Sequence, residues 1–250
     1  MKLISLNTWG CRITEPIYEF IKKYSESTDI FCFQEILKNG NGKTHREEIK
    51  NSYEQICSLL PDYNGYFCEY GENGYYSENS SNLDFQFGVA CFIKSKLKQN
   101  FIGNNVLYDL NKKWSDYDGG FAVGTAMAIE VEDYSILNIH GLWQGSIKTD
   151  TEAKIEQSRK IIELANKTHG KKIICGDFNL LPNTRSIEML DKRYNNLIKK
   201  YNIINTRSSF YTKENRFADF VFTSPETKVS DFKVLPDEVS DHLPLFLDFE

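Results

Sequence analysis

Ile173-Ile174-Cys175-Gly176-Asp177-Phe178-Asn179 runs from an apolar, strand-like stretch into a glycine and then sets an acid and an amide two residues apart. A polar residue closing a buried strand is well placed for chemistry, because the sheet fixes its position while its side chain reaches solvent. If extended geometry continues past the glycine, Asp177 and Asn179 face one side. A carboxylate there can hold or polarise a water while the amide donates to a phosphoryl oxygen. The same residues also suit an Asx-rich turn.

Similar endings recur along the chain. The apolar runs 3–6 and 30–33 are soon followed by Asn7 and Glu35, the run 135–140 ends on His140, and Ser240-Asp241-His242 precedes the last strand pattern at 245–249. Carboxylates, amides and imidazoles without a thiolate form the donor set of a hard, oxygen-preferring cation such as Mg²⁺ or Mn²⁺. Adjacent side chains on extended backbone point to opposite sides, so Asp241 and His242 are not expected to pair. Asp219, in Ala218-Asp219-Phe220, is the candidate to orient His242.

Further strands are expected over 87–93, 121–131 and 217–223. Pro16 suits a first helical turn that places Ile17, Phe20, Ile21 and Tyr24 on one face. Thr44 with Glu47, and Thr149 with Glu152, form capping-box patterns for two more helices, the first stopped by Pro61 and the second ending near Gly170. The polar stretches 72–82 and 104–120 suggest long surface loops. Strands and helices mixed without strict alternation indicate α+β layers over one or two sheets, with 1–250 forming a single domain.

The 250 residues carry a formal charge of −5, so no global positive field draws the chain to nucleic acid or anionic membranes. The six cysteines lack metal-binding spacing, and Cys32, Cys91 and Cys175 lie in apolar runs, as buried free thiols do. No run has transmembrane length, and 1–6 is too short for a signal peptide, so a cytoplasmic location, a monomer and no stable membrane insertion are expected.

Taken in order, Leu6-Asn7-Thr8-Trp9, Phe33-Gln34-Glu35-Ile36, Asn138-Ile139-His140, Gly176-Asp177-Phe178-Asn179, Ala218-Asp219-Phe220-Val221 and Ser240-Asp241-His242-Leu243-Pro244 resemble the endonuclease/exonuclease/phosphatase superfamily, which includes DNase I. The resemblance covers essentially the whole chain. It implies a four-layered α/β sandwich, with two packed mixed β-sheets flanked by helices, and a phosphoesterase using Mg²⁺ or Mn²⁺. It further implies that Glu35 is the principal metal ligand, with Asn7 and Asp241 close to the metal. Asp177 would position or deprotonate the attacking water, Asn179 would hold a phosphate oxygen, and His242, oriented by Asp219, would contact the scissile phosphate. His140 matches the second histidine of the DNase I and sphingomyelinase branches, which favours a nuclease-type substrate, nucleic acid or nucleotide.

Alternatives remain at this level: a lipid phosphodiesterase or phosphoinositide-type phosphatase, and a non-catalytic binding module on the same fold. Beyond the shared motifs, Trp143 offers a stacking surface and Lys148 a cation for a phosphate. A packed indole and a solvated lysine explain the same two residues.

Overall fold

The computed structural model describes residues 1–70, 84–107, 124–145 and 147–250. Two mixed β-sheets pack face to face. In the first, β1 (Lys2–Asn7) lies parallel to β2 (Ile30–Lys38), and β3 (Tyr63–Glu69), β4 (Gln86–Lys94), β11 (Val229–Val234) and β12 (Leu245–Phe249) complete the order β11-β12-β1-β2-β4-β3. In the second, β7 (Tyr134–His140) lies parallel to β8 (Lys171–Asp177), with β5 (Gln99–Val106), β6 (Thr125–Val131), β9 (Asn195–Asn196) and β10 (Asp219–Thr223) in the order β5-β6-β7-β8-β10-β9. The remaining neighbours are antiparallel.

Strand periodicity builds the layers. Leu3, Ile30, Cys32 and Cys91 point between the sheets. Their chain neighbours Ile4, Phe31, Phe33 and Phe92 point outward, onto Ile17, Phe20 and Ile21 of α1 (Thr14–Ser25) and Ile56 of α2 (Ser52–Leu59). On the far side, α3 (Glu152–Asn166), α4 (Arg185–Asp191) and α5 (Leu197–Lys200) bury Ile161, Ile187 and Leu197 against the second sheet. Stacking α, β, β and α gives the expected four-layered sandwich. All six cysteines are free, and only Cys57 is not buried. No helix among the described residues is long and apolar enough to cross a membrane.

Several local expectations are corrected. The Thr44 hydroxyl accepts from Arg46 N and Glu48 N within a turn, and Glu47 sits at φ +65°, so 44–47 does not open a helix. Helix α2 begins at Ser52. Thr151, not Thr149, caps α3, accepting from Lys154 N. Ile162 and Ala165 of that helix are buried, whereas Ile155 is only half-buried. The expected loop at 72–82 lies outside the described residues. So does most of 104–120, whose first residues instead end β5. The start of the strand expected from 121 also lies outside, and β6 is described from Thr125.

One polar contact ties the sheets together beside the functional edge. The register of β2 on β4 slips between Phe33 and Ile36, forming a bulge. Asn138 of β7 reaches across, donating to Phe33 O (3.1 Å) and Ala90 O (3.0 Å), and accepts from Gln34 Nε2 at 2.6 Å. The bulge places Glu35 at φ +57°, inside β2 rather than at its end.

Candidate active site

Strand ends converge at one edge of the sandwich. Asn7, His140 and Asp177 are the last residues of β1, β7 and β8, and Asp219 is the first of β10. Within the second sheet, His140, Asp177 and Asp219 are register neighbours across three strands. The close approach of β7 and β8 there depends on Gly176, at φ +133°, where a Cβ would sit 2.0 Å from Ile139 O. A pocket at this edge is lined by Trp9, Glu35, His140, Trp143, Gly145, Lys148, Asp177, Asn179, Arg207, Tyr211, Lys213, Asp241 and His242.

Asn7 holds two acids together: its Nδ2 donates to Glu35 Oε1 (3.0 Å) and Asp177 Oδ2 (3.1 Å), while its Oδ1 accepts from Trp9 N (3.0 Å). Asn7 thus meets the carboxylates through its nitrogen. Asp177 combines both roles considered from sequence. Its Oδ1 accepts from Asn179 N at 2.8 Å in an Asx turn, and its Oδ2 faces His242 Nε2 at 3.5 Å. Extended geometry does not continue to Asn179, which sits at φ +53°, yet both side chains line the pocket.

His242 Nδ1 lies 2.7 Å from Asp219 Oδ1, and Thr206 Oγ1 donates to the other Asp219 oxygen at 2.8 Å. His242 and Asp241 make no hydrogen bond to each other, their nearest charged atoms being 3.8 Å apart. Burial and Arg207 lower the pKa of His242, but Asp219, Asp241 and Asp177 outweigh them and raise it. Burial alone would raise Asp177, but His242, Lys148, His140 and Arg207 hold its carboxyl well below the usual range. His140 is the opposite case, with burial pushing its pKa down to about 4. Its Nδ1 is hydrogen-bonded to the Tyr70 hydroxyl, and its Nε2 turns towards Glu35 (3.8 Å) and Asp177 (3.9 Å).

Glu35 is pushed up to about 7 by burial, which the Asn7 hydrogen bond only partly offsets. Asp177, Asp219 and His242 place ligand atoms within 4.8 Å of one another, but His242 and Asp219 already satisfy each other. The Glu35–Asp177 side offers two carboxylates joined through the Asn7 amide and fits a divalent cation better.

A family model described as Endonuclease/Exonuclease/phosphatase family matches residues 4–242. The chain belongs to this family. Its members are phosphoric ester hydrolases and generally use a divalent metal. Among solved structures, the fold resembles a mannosyl-6-phosphatase from Bacteroides thetaiotaomicron (18% identity, 100% of this chain and 99% of that one, TM-score 0.67). It also resembles the human Nocturnin catalytic domain with bound sulfate (18% identity, 100% and 94% coverage, TM-score 0.63). A third is ANGEL2, a 2′,3′-cyclic phosphatase (14% identity, 99% and 94% coverage, TM-score 0.66). No curated protein sequence matches the chain.

Every expected site residue of this family member lies at the same edge, with Asp219 directly behind His242. Lys148 is buried, not solvated, with Nζ 3.4 Å from Asn179 Oδ1. Trp143 is half-buried on the pocket wall. Sequence reasoning missed Trp9, Tyr70, Tyr211 and Arg207. Arg207 is 4% exposed, pairs with Asp241 Oδ2 at 2.9 Å and lies over the Tyr211 ring at 4.3 Å. Its flanks, Thr206 and Ser208, form no motif; its backbone bridge to His242 brings it into the site.

Proposed function

We propose that the chain is a divalent-metal-dependent phosphoric ester hydrolase that works by in-line attack of water on phosphorus. The observation that carries this reading is the buried imidazole of His242, held by Asp219 and facing Asp177, with Glu35 on the other side of Asn7. Glu35 would be the principal ligand of Mg²⁺ or Mn²⁺, with Asn7 and Asp241 beside it. When bound, such a cation supplies Lewis-acid polarisation of phosphoryl oxygens and offsets charge on the leaving group. Asp177 orients the attacking water or accepts its proton. Asn179 and His242 donate to phosphoryl oxygens as charge builds on them. His140, neutral and anchored by Tyr70, completes the wall around the carboxylates.

Trp143 would contact the non-reacting part of the substrate. His140 packs among the carboxylates, so its position does not itself choose between a nuclease-type diester and other phosphate esters. The test is a panel of single- and double-stranded DNA, RNA, cyclic dinucleotides, sphingomyelin, inositol phosphates and nitrophenyl phosphate esters, assayed with Mg²⁺ and with chelator. Hydrolysis of at least one ester, abolished by chelator, is expected. No hydrolysis of any, or hydrolysis indifferent to chelator, would contradict the proposal. On the substrate found, Trp143→Ala should reduce kcat/KM about tenfold or more while sparing a nitrophenyl ester. Equal loss on both would assign the indole to packing.

A further inference from the structure

Some of the site's buried charges sit in close ion pairs and others do not. Asp219 with His242 (2.7 Å) and Asp241 with Arg207 (2.9 Å) neutralise each other. Glu35 and Asp177, joined through Asn7, remain on one wall. On the other stand two lysines, Lys148 at 6% exposure and Lys154 at 0%. Lys148 Nζ meets the Asn179 side-chain oxygen at 3.4 Å. Lys154 Nζ donates to Asn179 O at 2.9 Å and to Ile147 O.

These acceptors are neutral. Neither ammonium has a carboxylate within ion-pair distance among the described residues. Asp150, close by on the same loop, is occupied by Arg185 N, Ser186 N and Ser186 Oγ. Lys154 also sits in the first turn of α3, where the helix end is already positive. Burial lowers both lysines to about 8, against the opposing pull of nearby carboxylates, Asp177 foremost. Two buried cations with no carboxylate in contact are costly unless a ligand supplies the anion.

We propose that the wall carrying Lys148 and Lys154 is built for a doubly charged phosphoryl group, so that the preferred substrate is a phosphomonoester rather than a diester. The proposal rests on the hydrolase reading above. Lys148 reaches the pocket and contacts the ligand, while Lys154, behind it, positions Asn179 and adds its charge. The Glu35–Asp177 side suits a divalent cation, and the two ammoniums, whose hydrogen-bond acceptors are neutral, suit a dianion. A diester carries one negative charge and would leave one buried positive charge unmatched. A phosphate monoester has its second pKa at about 6 and is mostly dianionic at neutral pH.

Two measurements at pH 7.5 test this. Calorimetric titration of the metal-stripped protein with inorganic phosphate and with dimethyl phosphate should show phosphate binding about tenfold tighter or more. Lys148→Met should remove that preference and Lys148→Arg, which keeps the charge, should retain it. With Mg²⁺, kcat/KM for 4-nitrophenyl phosphate should exceed that for bis(4-nitrophenyl) phosphate, and Lys148→Met should reduce the ratio about tenfold. Equal binding of the two anions, or a diester preference that Lys148→Met leaves unchanged, would overturn the proposal. Discrimination in binding without hydrolysis of any ester of the panel above would keep the dianion seat and remove the hydrolase reading beneath it.

Discussion

His242 and Asp219 illustrate how little a side chain's identity determines its chemistry here. His140 and His242 are both buried, yet one is driven neutral and the other towards its charged form by the acid at its back. Asp219→Asn should therefore lower kcat about a hundredfold with a much smaller change in KM. The double variant with His242→Ala should cost little more than His242→Ala alone, because the two act as a unit. Additive losses in steady-state kinetics would break the pairing. Glu35 makes a second residue-scale prediction. Its folded pKa of about 7 lies above its usual 4.5, so the metal-free fold binds the extra proton and loses stability as pH rises between those values. A divalent cation must displace that proton at low pH and need not at high pH. Mg²⁺ should thus raise Tm more at pH 8 than at pH 5.5, as read by thermal denaturation; an equal or reversed shift would contradict this role for Glu35.

At the scale of elements, the β2 bulge delivers Glu35 to the edge, and Asn138 holds the bulge. Asn138→Ala removes donors from two buried carbonyls and one of the two acceptors of the Gln34 amide, and should cost about 3 kcal/mol in denaturant unfolding. Activity should fall with it as Glu35 loses its fixed position; unchanged stability would mean that the bulge holds itself. Strands ending on Asn7, His140 and Asp177 were legible because an apolar run closing on a polar residue is a local pattern. Glu35 was legible as a candidate but not as a bulge, since the register slip is a relation with β4. The Thr44–Glu47 box misled because a threonine hydroxyl satisfies a tight turn as readily as a helix end. Arg207 and Lys154 were illegible for the same physical reason as the bulge. One is brought in by pairing with the His242 segment, the other by reaching carbonyls that are distant in sequence.

Across the whole molecule, the two sheets present their functional ends at one edge, with Asn7 and Glu35 from one and His140, Asp177 and Asp219 from the other. The site therefore exists only when the sheets are packed, and its chemistry depends on the interface that Asn138 and Gln34 span. The family assignment and the layered fold agree with this architecture, while the proposed activity rests on the pocket's own charges. The most direct test of the central claim is the turnover of one hydrolysed ester by chelator-treated protein as Mg²⁺ or Mn²⁺ is restored, in the wild type and in Glu35→Ala. The account predicts that chelation stops the wild type and either ion restores it, while Glu35→Ala stays at least about a hundredfold slower with its cooperative melting retained. Full activity after chelation, or a folded Glu35→Ala enzyme that turns over at the wild-type rate, would contradict it.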